Sequence, residues 1–535
     1  MTLRGRKRKK DSRAFWAADC ETDPFKFGRI PKPFIWGCYT GTSFHTFEKT
    51  EDFVDFIKEQ DVIVYMHNGG KFDAHFLLPF LNQLEEMKII GGRLVSAKIG
   101  KCEIRDSWNL LPAPLATFGS KLEIDYALLE ADVRHKHMPQ IITYLTADCV
   151  ELWTAIDTFE RSYGRHLTQA GAAMAQWQKI SGRKAPKSDR QFFAKFNKYY
   201  YGGRVECFKR GHIKGPLKVF DIRSAYPWAM LSEHPYAPTY VERAFPRDIF
   251  PTSMVTLDCI SNGALPAKTE SGGTYFPHDD VRRTYYTTGH EYLAAMECGL
   301  LREVKLINSI EFIDLVSFAP YINHFYELRK KYRLADDVAQ TLFTKLLMNS
   351  LYGKFGANPD NYGNYMLVPF AQMADYEEDG YKFSGMLGEH CVLRSDLDPW
   401  QENFINVATA ASITGQVRAH LLRAIHASDS PAYCDTDSLM CKNAVLPLGE
   451  ELGEWNFEGT ASDAWIAGKK MYYLKGRFEK GKREKMATKG VRLTGAQIKK
   501  AATGGTVTAR SDAPTFTLKG KRGAYFQQRT IRATG

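Results

Sequence analysis

Two acidic residues two apart, Asp435 and Asp437 in the run YCDTDS, lie between an apolar approach (Pro431, Ala432, Tyr433) and an apolar exit (Leu439, Met440). Asp, Thr and Ser are ordinary occupants of a hairpin turn, and that is one reading. The other is a metal site. Carboxylates two apart on a strand share a face, and like charges so close are costly unless a cation balances them. Mg²⁺ takes such oxygen ligands together with substrate phosphates. Asp221 ends a second apolar run, VFDIRSAYP, before a turn that begins at Tyr226 and Pro227. Phosphoryl transfer by two ions about 3.5–4 Å apart needs carboxylates from separate strands, one ion activating a 3′-oxygen and one neutralising the departing pyrophosphate. Asp221 and Asp437 suit that role.

Between them lies KLLMNSLYGKFG. Wound as a helix, it puts Lys345, Asn349 and Tyr352 on one face and Phe343 and Leu347 on the other. The polar face is either a solvated side or a triphosphate-binding surface with Lys345 as its cation and Tyr352 packing at its base. A further acidic set sits near the N-terminus. DCET places Asp19 and Glu21 on one strand face, HNGGKFD supplies Asp73, and YLTADC puts Tyr144 and Asp148 one helical turn apart.

The elements that must position these groups follow from periodicity. Residues 14–150 alternate β-rich runs (FWAADCET, DVIVYMHN, KCEIRDSW) with helix-like ones, the pattern of an α/β domain ending near 160. In YYYGGRVECF, paired glycines between aromatics mark a hinge where the backbone bends or closely approaches something. Residues 233–320 mix strands with Pro and Gly, 321–355 read as helix, and 356–402 are rich in Gly, Asn, Asp and Tyr, like an insertion. A helix from 403 leads into YCDTDS, and a Lys/Arg/Gly-rich tail closes the chain.

The chain has 535 residues, 44% of them hydrophobic and 13% aromatic, enough for about three or four domains. The net charge of +11 favours a polyanionic partner. No stretch approaches ~20 uninterrupted apolar residues, and the basic N-terminus lacks an apolar signal core, so no membrane association is expected. The ten cysteines include no CxxC pair, which excludes a zinc ribbon or iron–sulfur site and points to reduced thiols.

Taken together, these residues resemble the B-family DNA polymerases, and within them the protein-primed polymerases of bacteriophages and linear plasmids. DIRSAYP is similar to motif A (Dx2SxYP), KLLMNSLYG to motif B (Kx3NSxYG) and YCDTDS to motif C (YxDTDS), in the family's order. The resemblance implies Asp221, Ile222 and Asp437 as metal ligands, with Asp435 supporting. It implies that Tyr226 packs under the incoming sugar, excluding a ribose 2′-hydroxyl, and that Lys345 binds the triphosphate with Arg333 as a second cation. Asn349 joins the nucleotide site and Tyr352 lines the nascent base pair. On an unbroken helix Arg333 would lie ~18 Å and ~120° from Lys345. GKKMYYLKG resembles the KxY motif that steadies the primer terminus, giving Lys470 and Tyr472. YYYGGR resembles the YxGG motif (Tyr200, Gly202, Gly203), which binds template and couples synthesis to proofreading.

Asp19, Glu21, Asp73, Tyr144 and Asp148 resemble the three 3′–5′ exonuclease motifs, in which four carboxylates hold two metals and the tyrosine orients the attacking water. Thr22, His67, Asn68, Phe72, Phe76, Ser107 and Tyr126 match the family's ligands of single-stranded DNA, and Lys121 a catalytic-site lysine. The family's Ser/Thr-Leu pair reads Ser107-Trp108 here, so Trp108 does not follow the pattern.

The fold implied is α/β and α+β multidomain: a ribonuclease-H-like exonuclease domain (1–165), palm (166–232 and 403–490), fingers (321–355) and thumb (491–535). Two subfamily insertions are expected, 233–320 to contact a terminal-protein primer and 356–402 for processivity and strand displacement. Two Mg²⁺ (or Mn²⁺) per active site, DNA template and primer, dNTPs, a terminal protein and a location in the cytoplasm of a bacterial host complete the expectation. The basic run RGRKRKK at 4–10 is a solvated arm or an added set of phosphate contacts. Three other readings compete: a glycosyltransferase, which leaves motif B and the N-terminal set unexplained; a nuclease with an inactive polymerase module; and a DNA-primed polymerase of the same family.

Overall fold

The computed structural model describes residues 11–119, 122–185, 188–358, 362–387, 389–395, 404–519 and 523–532. Lys121 and the run at 4–10 lie outside them. The N-terminal domain is built on strand Phe15–Thr22, which pairs in parallel with Ile63–Met66 and antiparallel with Pro33–Tyr39. Ile63–Met66 pairs in parallel with Cys102–Asp106, which continues into the antiparallel strands Arg93–Ile99 and Glu86–Ile90. Helix Met138–Tyr163 covers one face with Ile141, Leu145, Cys149 and Leu152, the i, i+4 stripe that its sequence spacing requires.

The sheet does not end with this domain. Strand Tyr362–Pro369, from the stretch expected as the second insertion, pairs with Glu86–Ile90, and strands His390–Ser395 and Tyr381–Leu387 follow it outward, making ten strands in all. Composition had marked 356–402 only as an insertion; the backbone hydrogen bonds that seal the N-terminal domain's edge are a long-range pairing.

A seven-stranded antiparallel sheet runs in the order Glu484–Ala487, Met471–Phe478, Trp455–Gly468, Gly211–Ile222, Ser438–Ala444, Ser428–Asp435, Val205–Cys207. Helix Val407–His426, capped at Asn406, lies against it and feeds directly into Ser428–Asp435. The stretch expected as the first insertion, 233–320, forms its own four-stranded sheet, Tyr240–Ala244, Arg302–Phe312, Met254–Ile260 and Arg283–Thr288, with helix Gly289–Glu297.

The stretch 321–355, expected as one helix, is two: Ala319–Leu334 and Val338–Phe355. Asp336 has a left-handed φ of 53°, and Asp337 caps the second helix by accepting the Gln340 N–H at 3.0 Å. The separation between Arg333 and Lys345 calculated for an unbroken helix therefore does not apply. Phe159 of the N-terminal domain meets Phe343 edge to face at 5.2 Å, within a buried cluster that also holds Trp177, Leu347 and Ile413. The C-terminal segment is helix Gly495–Ala502 and the hairpin Val507–Thr517/Gly523–Ile531.

Candidate active sites

The seven-stranded sheet brings the first carboxylate set together. Asp221 stands opposite Ser438 on one side and Asn456 on the other. YCDTDS does form a hairpin: Asp435 pairs with Ser438 around a two-residue turn in which Thr436 has φ 62°. Backbone bonds fix that turn. The Thr436 N–H donates to the Arg204 carbonyl and the Ile222 N–H to the Asp437 carbonyl, both at 2.7 Å, which sets Asp437 beside the end of the Asp221 strand.

Burial first, then the Asp437 charge, pushes Asp221 up to about 7; burial likewise raises Asp437 to about 6, with Asp435 adding to it. Two carboxylates so destabilised as anions are the donor chemistry a hard divalent cation needs. Ile222, a buried hydrocarbon, can join them only through its carbonyl oxygen. Among the described residues no three acidic, His or Cys side chains form a ready-made ion cage. Asp435 is differently placed: Lys470 Nζ donates to both its oxygens, at 2.6 and 2.8 Å, so it is already paired.

Above this floor, the Tyr226 and Tyr352 rings stack with centroids 4.1 Å apart and planes 14° from parallel. The Lys345 ammonium is exposed and lies close enough to Asp221 to favour its ionised form. The Asn349 amide is occupied by the Lys345 carbonyl, at 3.0 Å. Phe343 and Leu347 are fully buried, so the helix has the two faces its spacing implied. Tyr472 is 9% exposed and packs edge-on against Tyr433 at 5.3 Å. Tyr200 packs on Gly356, at the end of helix Val338–Phe355. Arg333 is exposed, and its charge bears on the half-buried Arg329 one turn before it.

The second set lines a cavity of about 480 Å³. Asp19, Glu21, Asp73, Asp148 and Tyr144 face it together with Thr22, His67, Asn68, Phe72 and Tyr126. Burial raises all four acids, and their mutual repulsion adds to it at Asp19 and Glu21: Asp19 lies well above the carboxylate range, Glu21 at about 8, Asp73 and Asp148 at about 6. The Tyr144 hydroxyl donates to Asp148, partly offsetting that rise. Four converging carboxylates pushed up by burial fit hard divalent cations as well as the first set does.

Ser107, fully buried, does not face the cavity; its hydroxyl holds His67 Nδ1 at 2.9 Å while His67 Nε2 meets the Ala113 carbonyl at 2.9 Å. Phe76 packs behind Phe72, edge to face at 5.4 Å. Trp108, half-buried, lies between the His67 ring and the Arg93 guanidinium. Arg93 in turn binds the Asn68 amide oxygen at 2.9 Å.

Sequence reasoning missed three groups. Glu458 projects from a β-bulge of strand Trp455–Gly468, next to Gly459 at φ 138°, and its charge acts on both Asp221 and Asp437 while Lys485 pairs with it. The Gly after an acidic residue in a strand was the available signal. Arg329 adds a cation beside Arg333, visible as an i, i+4 repeat. Phe516, from the C-terminal hairpin, reaches the second cavity and packs on Phe72, His75 and Phe76; nothing local in the sequence announces that.

Residues 126–377 match the family of DNA polymerases type B, organellar and viral. The DNA-directed DNA polymerase of Enterobacteria phage PRD1 is 34% identical over 573 residues, covering 99% of this chain and 100% of that one. The DNA polymerase of Bacillus phage Nf is 25% identical over 479 residues, 79% of this chain and 80% of the other. Phi29 DNA polymerase in an orthorhombic crystal form has the same fold, with a TM-score of 0.74 at 18% identity over 98% of this chain and 100% of that one. By its full-length match to the PRD1 enzyme, the chain belongs to the organellar and viral type B family and is a DNA-directed DNA polymerase.

Proposed function

We propose that this polymerase replicates a linear genome by protein-primed initiation and processive, strand-displacing elongation, and that it proofreads with a 3′–5′ exonuclease. The observation that carries the reading is the pair of separate acidic centres, each with carboxyls raised by burial and fed by its own aromatic surface. Support for protein priming comes from the two insertions, one a folded sheet of its own and one extending the N-terminal sheet.

Asp221, Asp437 and the Ile222 carbonyl would hold two Mg²⁺ or Mn²⁺ in the palm, and Asp19, Glu21, Asp73 and Asp148 two more in the exonuclease domain; the ions supply neutralisation of charge developing on the phosphoryl group. The chain's own groups do the rest. Lys345, with Arg333 as a second cation, binds the triphosphate, and the stacked Tyr226 and Tyr352 form the surface under sugar and base. Lys470 and Tyr472 steady the primer terminus, and Tyr200, Gly202 and Gly203 receive the template. In the second cavity Tyr144, held by Asp148, orients the attacking water. Single-stranded DNA stacks along Phe72 and Tyr126 and meets Thr22, His67 and Asn68, with Ser107 and Phe76 fixing His67 and Phe72 from behind. Lys121 is assigned to this site on its motif alone. The polymerase of known structure was solved complexed with primer-template DNA and incoming nucleotide, and the present fold matches it with a TM-score of 0.70.

Paired substitutions test the two-site assignment. Asp437→Asn is expected to end nucleotide incorporation while single-strand degradation continues, and Asp19→Asn to do the reverse. Loss of both activities from either change, or of neither, overturns it.

A further inference from the structure

The amide of Asn68, which lines the second cavity, is oriented from behind by a residue that none of the sequence motifs includes. Arg93 opens strand Arg93–Ile99, and its Nη1 donates to Asn68 Oδ1 at 2.9 Å and to Asp106 Oδ2 at 2.5 Å. Asp106 is buried at the end of strand Cys102–Asp106, and its other oxygen accepts the Trp108 N–H at 2.9 Å. The guanidinium lies over the Trp108 ring, 5.8 Å from its centroid. Two strands and an indole therefore fix where Arg93 points. Gly70 lets the turn that carries Asn68 come this close: a Cβ there would stand 1.9 Å from the Leu94 carbonyl and 2.8 Å from Asp106 Oδ2. Asn68 itself has φ 59°, in the left-handed region that asparagine visits more readily than most side chains.

The charge of Arg93 does not account for this arrangement. The Asp106 carboxylate, with its side chain 1% exposed, pairs with Arg93 directly and cancels most of its field. What Arg93 supplies is direction. A carboxamide can present its oxygen as an acceptor or its nitrogen as a donor, whereas a guanidinium only donates. A turned-over Asn68 amide would set N–H against N–H, so Oδ1 stays on Arg93 and Nδ2 is left as the polar group for the cavity. Asparagine N–H groups are ordinary partners of phosphodiester oxygens, which accept and cannot donate.

We propose that Arg93 is a positioning residue: through its hydrogen bond to Asn68 Oδ1 it fixes that amide as a donor toward the phosphodiester oxygens of a single strand entering the second cavity. The inference rests on the reading of that cavity as the site of single-strand degradation.

The test measures KM and kcat for degradation of a single-stranded oligonucleotide by the full-length chain, with dNTP incorporation on a primed template as the control. Arg93→Met, Arg93→Lys, Asn68→Ala and the double variant Arg93→Met/Asn68→Ala are compared. Loss of a hydrogen bond to a charged oxygen weakens binding roughly tenfold. Arg93→Met and Asn68→Ala are each expected to raise KM by that factor, with kcat and incorporation of Arg93→Met retained. The double variant should raise KM no further, because the arginine acts only through the amide. Arg93→Lys, whose ammonium still donates, should recover most of the affinity.

Factors that multiply in the double variant, or equal falls in degradation and incorporation for Arg93→Met, mark a merely structural arginine and overturn the proposal. A parental KM for Arg93→Met beside a raised one for Asn68→Ala also overturns it, and the reading of the cavity then stands. A parental KM for Asn68→Ala removes the amide contact and the proposal with it. Absence of degradation by the parent protein overturns the reading of the cavity itself. Should Arg93→Met fail to fold because Asp106 is left unpaired, Arg93→Met with Asp106→Asn removes that charge and takes its place in every comparison.

Discussion

Lys470 clasps Asp435 through both carboxylate oxygens, at 2.6 and 2.8 Å, while its backbone N–H meets the Tyr433 hydroxyl at 2.9 Å. The first aspartate of YCDTDS is thus neutralised by the residue expected to steady the primer terminus, and only Asp437 and Asp221 remain as unbalanced carboxylates. Asp437→Asn should lower incorporation by on the order of 10³-fold or more, the scale of losing a direct ligand. Asp435→Asn should cost about 10–100-fold, the scale of a supporting partner. Equal losses measured on one primer–template would mean that both aspartates act directly.

Tyr226 and Tyr352 stack at 4.1 Å, so the surface proposed to face the sugar is one stacked aromatic unit. Replacing Tyr226 with Ala should raise ribonucleotide relative to deoxyribonucleotide incorporation by on the order of 100-fold, the range a steric pocket can supply. It should also remove a stacking contribution of about 1 kcal/mol at helix Val338–Phe355. Unchanged sugar discrimination, read from kcat/KM for the two nucleotides, would contradict the placement.

His67 is held neutral, its pKa pushed down to about 4 by burial among Ser107, Ala113 and Trp108. The unfolded chain protonates this residue near 6.5 and the folded one only near 4. Its contribution to stability is therefore present above pH 6.5 and lost as pH falls through that window. By pH 4 the loss is roughly 3 kcal/mol. His67→Gln should flatten the fall in unfolding midpoint between pH 6.5 and 4; an identical pH profile would show that the ring takes up its proton as readily in the fold as in the unfolded chain.

The four acids of the second cavity repel one another, so Asp19→Asn should raise the thermal midpoint of the metal-free protein while removing the proposed degradation of single strands. Addition of Mg²⁺ should raise the midpoint of the parent more than that of the variant. A lower midpoint for the metal-free variant would contradict the electrostatic account.

Strand Tyr362–Pro369 completes the N-terminal sheet by pairing with Glu86–Ile90. Deletion of residues 357–400 should leave short-gap filling intact and abolish strand displacement, and should lower solubility because it bares the edge Glu86–Ile90. Undiminished synthesis past a downstream duplex would remove the second insertion from that role.

What was legible in the sequence was local. Asp19 with Glu21, Tyr144 with Asp148, and Lys345 with Asn349 and Tyr352 each sit within one short element, where a period of 2 or 3.6 places side chains on a common face without tertiary information. The break between Ala319–Leu334 and Val338–Phe355 was legible too, in Asp337 followed three residues on by Gln340, a cap pattern outweighed by helical composition on both sides. Contacts made by folding were hidden. Glu458 is aimed by a bulge, Phe516 by docking of the C-terminal hairpin, and Arg418 finds Glu291 across 127 residues. The second insertion's strands lack alternation strong enough to name their partner, because that partner lies some 270 residues earlier in the chain.

The claim of protein-primed synthesis is tested most directly by nucleotide transfer to protein. The purified chain is incubated with Mg²⁺, labelled dNTPs and, one at a time, the products of neighbouring reading frames in its genome, and nuclease-resistant label on protein is measured. Label on one product that disappears with Asp437→Asn is the expected result. Extension of an ordinary DNA primer with no protein labelled would contradict protein priming and leave the two insertions to another role.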